Sequence, residues 1–250
     1  MYINDINILY YLGIGIIGLL VGQFIDWCNK RLPEYKKVFS KEFFTVYFKD
    51  AKPKYLLMVS NAVMYVGLLY FFGFSIDTLK FMFLVPMLIS AFVIDYRLQI
   101  IPNRLTLTMF ETGLAFTFIQ VVANTSLGIN VLINNLLGML VGGGIFLLIT
   151  IIGGFIAGKE AMGFGDVKLM GALGLFLGWP SIIIVAVISF LLAAIISIGI
   201  LIVKKKGTNE YIPFGPFIVV STLIVIFIPF DLLLTIILKI FTLGTFKGKI

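Results

Sequence analysis

Long apolar runs separated by short polar turns set the pattern of this chain. An α-helix crosses the hydrocarbon core of a bilayer in about 20 apolar residues. Eight runs of that length or somewhat less can be placed, at 8–24, 55–72, 79–94, 105–122, 131–157, 167–177, 181–203 and 217–241. The sixth is short and the fifth long. The pattern predicts an all-α fold, a polytopic membrane helix bundle with about eight transmembrane helices, built as one membrane domain over 1–250. Pro213 and Pro216 break the chain ahead of the last run, and Asp231, just after Pro229, marks a break within it.

The polar turns predict an orientation. The stretch 30–54 holds Lys30, Arg31, Lys36, Lys37, Lys41, Lys49, Lys52 and Lys54. Basic loops stay on the cytoplasmic side. Alternation then puts Arg97 and Arg104, Lys159 and Lys168, and Lys204 to Lys206 on that side too. The intervening turns at 74–78, 123–130 and 178–180 carry a single charge, Asp77. Only the tail, with Lys247 and Lys249, dissents: either the last span re-enters, or so short a tail carries little weight. The aromatic residues Phe39, Phe43, Phe44, Tyr47 and Phe48 predict that the basic loop lies along the interface as an amphipathic segment.

Composition narrows the class. Of 250 residues, 60% are apolar and 12% charged, about half the charged share of a soluble domain. The net charge of +7 is gathered in a few loops, which points to topology and anionic lipid, not nucleic acid. There is no histidine, which removes Ser–His and Cys–His nucleophiles. The lone cysteine, Cys28, excludes an intramolecular disulfide and a cysteine-based zinc site, and reads as a small filler. Asp5 ahead of the first apolar run, with no basic segment and no small-residue cleavage site, makes that run an anchor that stays.

Against this background two carboxylates stand out. Asp95 closes the third run and Asp166 opens the sixth, 71 positions later. By the topology above, both lie at the cytoplasmic ends of their helices. Two carboxyls held close share one proton. The ionised member takes a proton from water, while the protonated one polarises a carbonyl and donates to a leaving amine. This is aspartic-protease chemistry, and it needs neither histidine, cysteine nor metal. In Gly163-Phe164-Gly165-Asp166 the glycines permit positive φ and close approach of an extended substrate. An aspartate at a helix start is favoured by free amide donors and the helix dipole. Simpler readings stay open: Asp166 as a helix cap, Asp95 as an interfacial partner of Arg97, or both as part of an ion or proton pathway with Glu111 and Asp231.

Four ordered stretches resemble the prepilin peptidases, membrane aspartic proteases of the Gly-x-Gly-Asp type. Gly22-Gln23-Phe24 through Arg31-Leu32-Pro33 resembles the exit of that family's first span. Asp95 with Ile101-Pro102-Asn103 resembles its first catalytic motif. Glu160 through Leu169 resembles its second, and Ile212-Pro213-Phe214-Gly215-Pro216-Phe217 its last signature. The resemblance implies an eight-span fold with a peptidase core over 79–203. It implies Asp95 and Asp166 as the catalytic pair, with Gly163, Gly165, Lys168, Glu160, Pro213 and Gly215 as substrate-binding or supporting residues. The activity implied is removal of the short basic leader from a type IV prepilin or pseudopilin precursor at the cytoplasmic face of a prokaryotic inner or plasma membrane.

Many members also hold zinc with four loop cysteines and N-methylate the new terminus from S-adenosylmethionine. Here 32–54 has no cysteine, so zinc is not expected, and Asn61 stands where an acidic residue would be expected. Methylation stays open. A relative of presenilin and signal peptide peptidase shares the Gly-x-Gly-Asp motif, but the Pro-Phe-Gly-Pro signature and the span-edge position of Asp95 argue against it. Gly142, Gly143, Gly144, Gly171, Gly174 and Gly178 predict close-packing helix surfaces. Lys168 either lowers the pKa of a motif carboxyl or faces anionic lipid. Glu111 is expected to face a polar interior.

Overall fold

A computed structural model of the chain describes residues 2–47, 52–123, 126–158, 162–204 and 212–242. After a two-stranded hairpin, β1 (Tyr2–Ile3) and β2 (Ile6–Asn7), every regular element is helical. The helices are α1 (Ile8–Arg31), α2 (Tyr55–Phe72), α3 (Ile76–Leu98), α4 (Asn103–Ala123), α5 (Gly128–Ala157), α6 (Phe164–Leu177), α7 (Trp179–Lys204), α8 (Gly215–Phe227) and α9 (Phe230–Phe241), with one π-helical turn at Phe43–Tyr47. The all-α class is as expected, and each predicted apolar run falls on helix.

Six helices, α1 to α5 and α7, are long and apolar enough to cross a membrane among the described residues, against about eight expected. The sixth run forms the 14-residue α6. The last run is two helices, because Pro229 caps α9 and Ile228 before it is extended (φ −109°, ψ 131°). Lys205, Lys206, Lys247 and Lys249 lie outside the described residues.

The chain forms two compact units, Met1–Gly128 and Ile129–Ile250. In the first, α1 and α2 pack backbone to backbone. A Cβ on Gly18 would stand 2.6 Å from Ala62 Cα, and one on Gly22 would stand 2.5 Å from the Leu57 carbonyl oxygen. Asn61, fully buried, donates from Nδ2 to the Gly18 carbonyl at 2.9 Å. Tyr65 ties α2 to α3 by donating to the Met82 carbonyl at 2.7 Å. Near the start of α3, Lys80 is buried, which demands a partner in an apolar setting. Asp77 supplies it at 2.8 Å, and Gln120 of α4 donates to the same carboxylate oxygen at 2.9 Å.

Over its described part the basic loop packs back onto α1. Phe43 and Tyr47 fold back against Trp27 of α1. Trp27 Nε1 donates to the Val38 carbonyl at 2.9 Å, and Arg31 Nε to the Lys37 carbonyl at 2.8 Å. Tyr47 donates to Asp26 at 3.0 Å. Burial, and then the Asp26 carboxylate beside it, push the Tyr47 phenol well above its ordinary value. Among the described side chains of the predicted aromatics, Phe39 is exposed, Phe43 half-buried and Tyr47 buried, while the Phe44 side chain and Phe48 lie outside what the structure describes.

In the second unit, α5 and α6 meet on glycines. A Cβ on Gly174 would collide with the Gly138 carbonyl, and one on Gly142 would lie 2.6 Å from the Met170 carbonyl oxygen. Gly178 ends α6 with φ +78° against Asn134, a conformation that suits glycine. The expected packing role holds for these positions. Gly144 differs: its Cβ would meet nothing within 4 Å.

Candidate active site

Asp95 sits in the last turn of α3 and is only 5% exposed. It continues the stripe Leu84, Leu88 and Ala91, spaced four and three residues apart and all fully buried. Its neighbours Tyr96, Arg97 and Leu98 are exposed. The helix ends at Leu98, where Gln99 takes a left-handed conformation (φ 55°) and its amide donates to the Asp95 carbonyl at 2.9 Å. Pro102 then turns the chain, its carbonyl accepting from Leu105 at 3.0 Å to start α4. The Ile101-Pro102-Asn103 stretch is thus the corner that ends one span and opens the next.

Asp166 lies in the first turn of α6, also 5% exposed. Its amide donates to the Gly163 carbonyl at 3.0 Å. The helix start is the end where free amides and the helix dipole favour an anion. The two glycines act here without positive φ: Gly163 is extended (φ −66°, ψ 136°), and Gly165 is inside the first helical turn. A Cβ on Gly163 would meet Asp166 Oδ2 at 3.6 Å, an ordinary van der Waals contact, so neither backbone angle nor space demands glycine there. Phe164 is exposed, and Lys168 places its ammonium 5.1 Å from the centre of that ring.

Pro213 and Gly215 flank the start of α8, where the Phe214 carbonyl accepts from Phe217 at 3.0 Å and Pro216 occupies the first turn. Phe214 is a residue whose role the sequence did not reveal. Its ring packs on Phe146 of α5, Phe190 of α7 and Phe217, at 5.8, 5.1 and 6.0 Å between centres. The signature is therefore a helix start pinned by an aromatic core. Glu160 lies outside the described residues. Glu111 is exposed on α4, not turned to an interior, and Asp231 is exposed at the start of α9. Asp95 belongs to the first unit, and Gly163, Gly165, Asp166, Lys168, Pro213 and Gly215 to the second.

The donor set of the loop does not fit zinc of the kind the resemblance implies. Zinc sites of that type use thiolates, and 32–54 has none. Trp27, Arg31 and Tyr47 hold that segment onto α1 instead.

Six apolar helices of spanning length among the described residues define a multi-pass, all-α membrane protein. Residues 82–198, which include both motif aspartates, match the type IV leader peptidase family. Relatives named prepilin leader peptidase/N-methyltransferase agree. The one from Aeromonas hydrophila is 33% identical over 144 residues, 58% of this chain and 47% of that protein. The one from Legionella pneumophila is 34% identical over 156 residues, 62% of this chain and 52% of that protein. The one from Pectobacterium carotovorum subsp. carotovorum is 31% identical over 141 residues, 55% and 47% of the two chains. The resemblance carried by the motifs is thus borne out. The chain spans about half the length of the curated relatives it matches. No solved structure matches it.

Proposed function

We propose that the chain is a membrane aspartic endopeptidase that removes the leader of a type IV prepilin or pseudopilin precursor at the cytoplasmic face of a prokaryotic inner or plasma membrane. The observation that carries this reading is the family match at 82–198, which contains two aspartates, each 5% exposed and each at the end of a helix. The whole chain acts as one membrane domain, with 79–203 as the peptidase core.

In this reading Asp95 and Asp166 share one proton over the scissile peptide. The ionised carboxylate accepts a proton from water as its oxygen bonds to the carbonyl carbon. The protonated carboxyl polarises the carbonyl oxygen and then gives its proton to the departing amine as the C–N bond breaks. Asp166 at a helix start and Asp95 at a helix end meet opposite ends of a helix dipole, an asymmetry that suits two unlike roles. Gly163, Gly165, Lys168, Glu160, Pro213 and Gly215 shape the substrate's seat. A helix-end location suits a bond that lies just ahead of a membrane-embedded segment.

The test is cleavage of a co-expressed prepilin by the Asp95→Asn and Asp166→Asn variants. Loss of cleavage in both, with each still inserted and folded, is expected; cleavage retained by either refutes the pair. The mass of the new N-terminus with and without S-adenosylmethionine decides methylation. A rise of one methyl group, about 14 Da, would assign it.

A further inference from the structure

Among the described residues of the second unit, three helices are too short to cross a bilayer, and they differ in how they are shielded. α6 and α8 have 14 and 13 residues, of which ten and eight are buried. A short helix can lie within the hydrocarbon when protein surrounds it. α9 has 12 residues, about 18 Å of helix against about 30 Å of hydrocarbon, and of these only Leu233 is buried. Extended Ile228 and Pro229 separate α9 from α8, so it does not continue that helix's axis.

The side chains of α9 exclude a lipid-facing span. Asp231, Thr235 and Lys239 are spaced four apart and form one polar stripe along the helix. At about 100° per residue, Leu233 falls on the side roughly opposite, so the stripe points away from the protein that α9 packs on. Asp231 and Lys239 are exposed. About 12 Å of helix separates them, too far for either to neutralise the other. Turned toward acyl chains, each would be an unpaired ion in hydrocarbon.

The flank beside the stripe has the opposite need. Leu232, Ile236 and Ile240 repeat the same spacing one position on, and all three are exposed. Water on that row costs apolar burial, just as lipid on the stripe costs ion hydration. Only a boundary between oil and water satisfies both.

We propose that α9 lies in the plane of the membrane as a surface helix whose partner is the headgroup layer of the bilayer. Asp231, Thr235 and Lys239 face water, and the row of Leu232, Ile236 and Ile240 enters the acyl boundary. The two ends of the helix then share one side and one depth. The charges of the stripe cancel, so the contact does not select anionic lipid. This placement holds whether or not the chain is a peptidase.

The test is thiol labelling of the full-length protein. Cys28→Ala removes the lone cysteine, and Asp231→Cys, Thr235→Cys, Ile236→Cys or Lys239→Cys is added to it. These four positions are exposed or half-buried, so folding is not at stake. A charged, membrane-impermeant maleimide is applied to intact cells, to inverted membrane vesicles, and to protein reconstituted in phosphatidylcholine vesicles with or without phosphatidylglycerol. The three stripe positions are expected to label from one common side. Ile236→Cys is expected to react at least about tenfold more slowly in both lipids, because the thiolate is the nucleophile and an apolar setting suppresses it. Labelling of Asp231→Cys and Lys239→Cys from opposite sides makes α9 a span and overturns the proposal. Ile236→Cys that reacts as fast as Thr235→Cys puts the helix clear of the bilayer and also overturns it. A stripe that the reagent reaches from neither side has protein over it, which overturns it as well. Protection of Ile236→Cys only with phosphatidylglycerol makes the contact an anionic one, again against the proposal.

Discussion

In Met1–Gly128 polar side chains tie helices to one another beside the glycine contact of α1 with α2, whereas in Ile129–Ile250 the described buried hydroxyls bond mainly within their own helices. Asn61, Tyr65 and Gln120 each bond across to another element. Ser189, Ser221 and Thr222 donate to carbonyls four residues back, at 2.7, 2.7 and 2.8 Å, and Ser189 also reaches the Phe217 carbonyl of α8 at a longer 3.5 Å. Both units use glycine contact, at Gly18 and Gly22 in the first and at Gly138, Gly142 and Gly174 in the second, and the second adds the cluster of Phe146, Phe190, Phe214 and Phe217 rings. Between apolar helices in lipid, burial supplies little drive, so contact area and hydrogen bonds must. The difference shows two ways to meet that need. Polar ties tolerate some change of side-chain size; contact between bare backbones does not.

The largest expected effect lies outside that contrast and tests what both units serve. Asp95→Asn or Asp166→Asn is expected to lower cleavage at least about a thousandfold without changing thermal unfolding, because amides cannot share the proton. Unequal unfolding of the two variants would show that one aspartate is structural.

Gly174→Ala comes next. Its methyl group would overlap the Gly138 carbonyl, and overpacking of this kind costs roughly 1–3 kcal/mol or more. Unfolding in detergent should move to clearly lower temperature. An unchanged midpoint would remove glycine contact as the basis of the second unit.

Tyr47→Phe probes the polar alternative. It removes the hydroxyl's bonds to Asp26, which Lys30 also satisfies, and to Gln23, so a loss of about 1–2 kcal/mol is expected, read as faster proteolysis of the loop. The pH dependence has a definite sign. A phenol whose ionisation is raised on folding keeps its full contribution below its unfolded value near 10 and loses it as pH rises further. Loop protection that weakens between pH 6 and 8 would contradict the Tyr47–Asp26 tie.

The smallest effect belongs to Gly144→Ala. Open space around that position leaves only the backbone entropy of the helix, so the variant should be neutral or gain up to about 1 kcal/mol. Destabilisation equal to that of Gly174→Ala would mean that all glycines of α5 and α6 act alike.

Much of this was legible in the amino-acid order. Span-length apolar runs determined the helices, because the free energy of placing a segment in lipid depends on its composition and length, not on distant contacts. Proline geometry determined the break at Pro229 for an equally local reason. Asp95 and Asp166 were visible as expensive charges beside apolar segments. Tertiary structure alone decided which of three adjacent glycines is in contact, since Gly142 meets Met170 while Gly144 meets nothing. It also decided that the aromatic loop closes on Trp27, that Phe214 anchors α8, and that the Asn29 amide is buried without a partner. Those properties depend on groups brought together from distant parts of the chain, and a linear pattern of polarity carries no record of them.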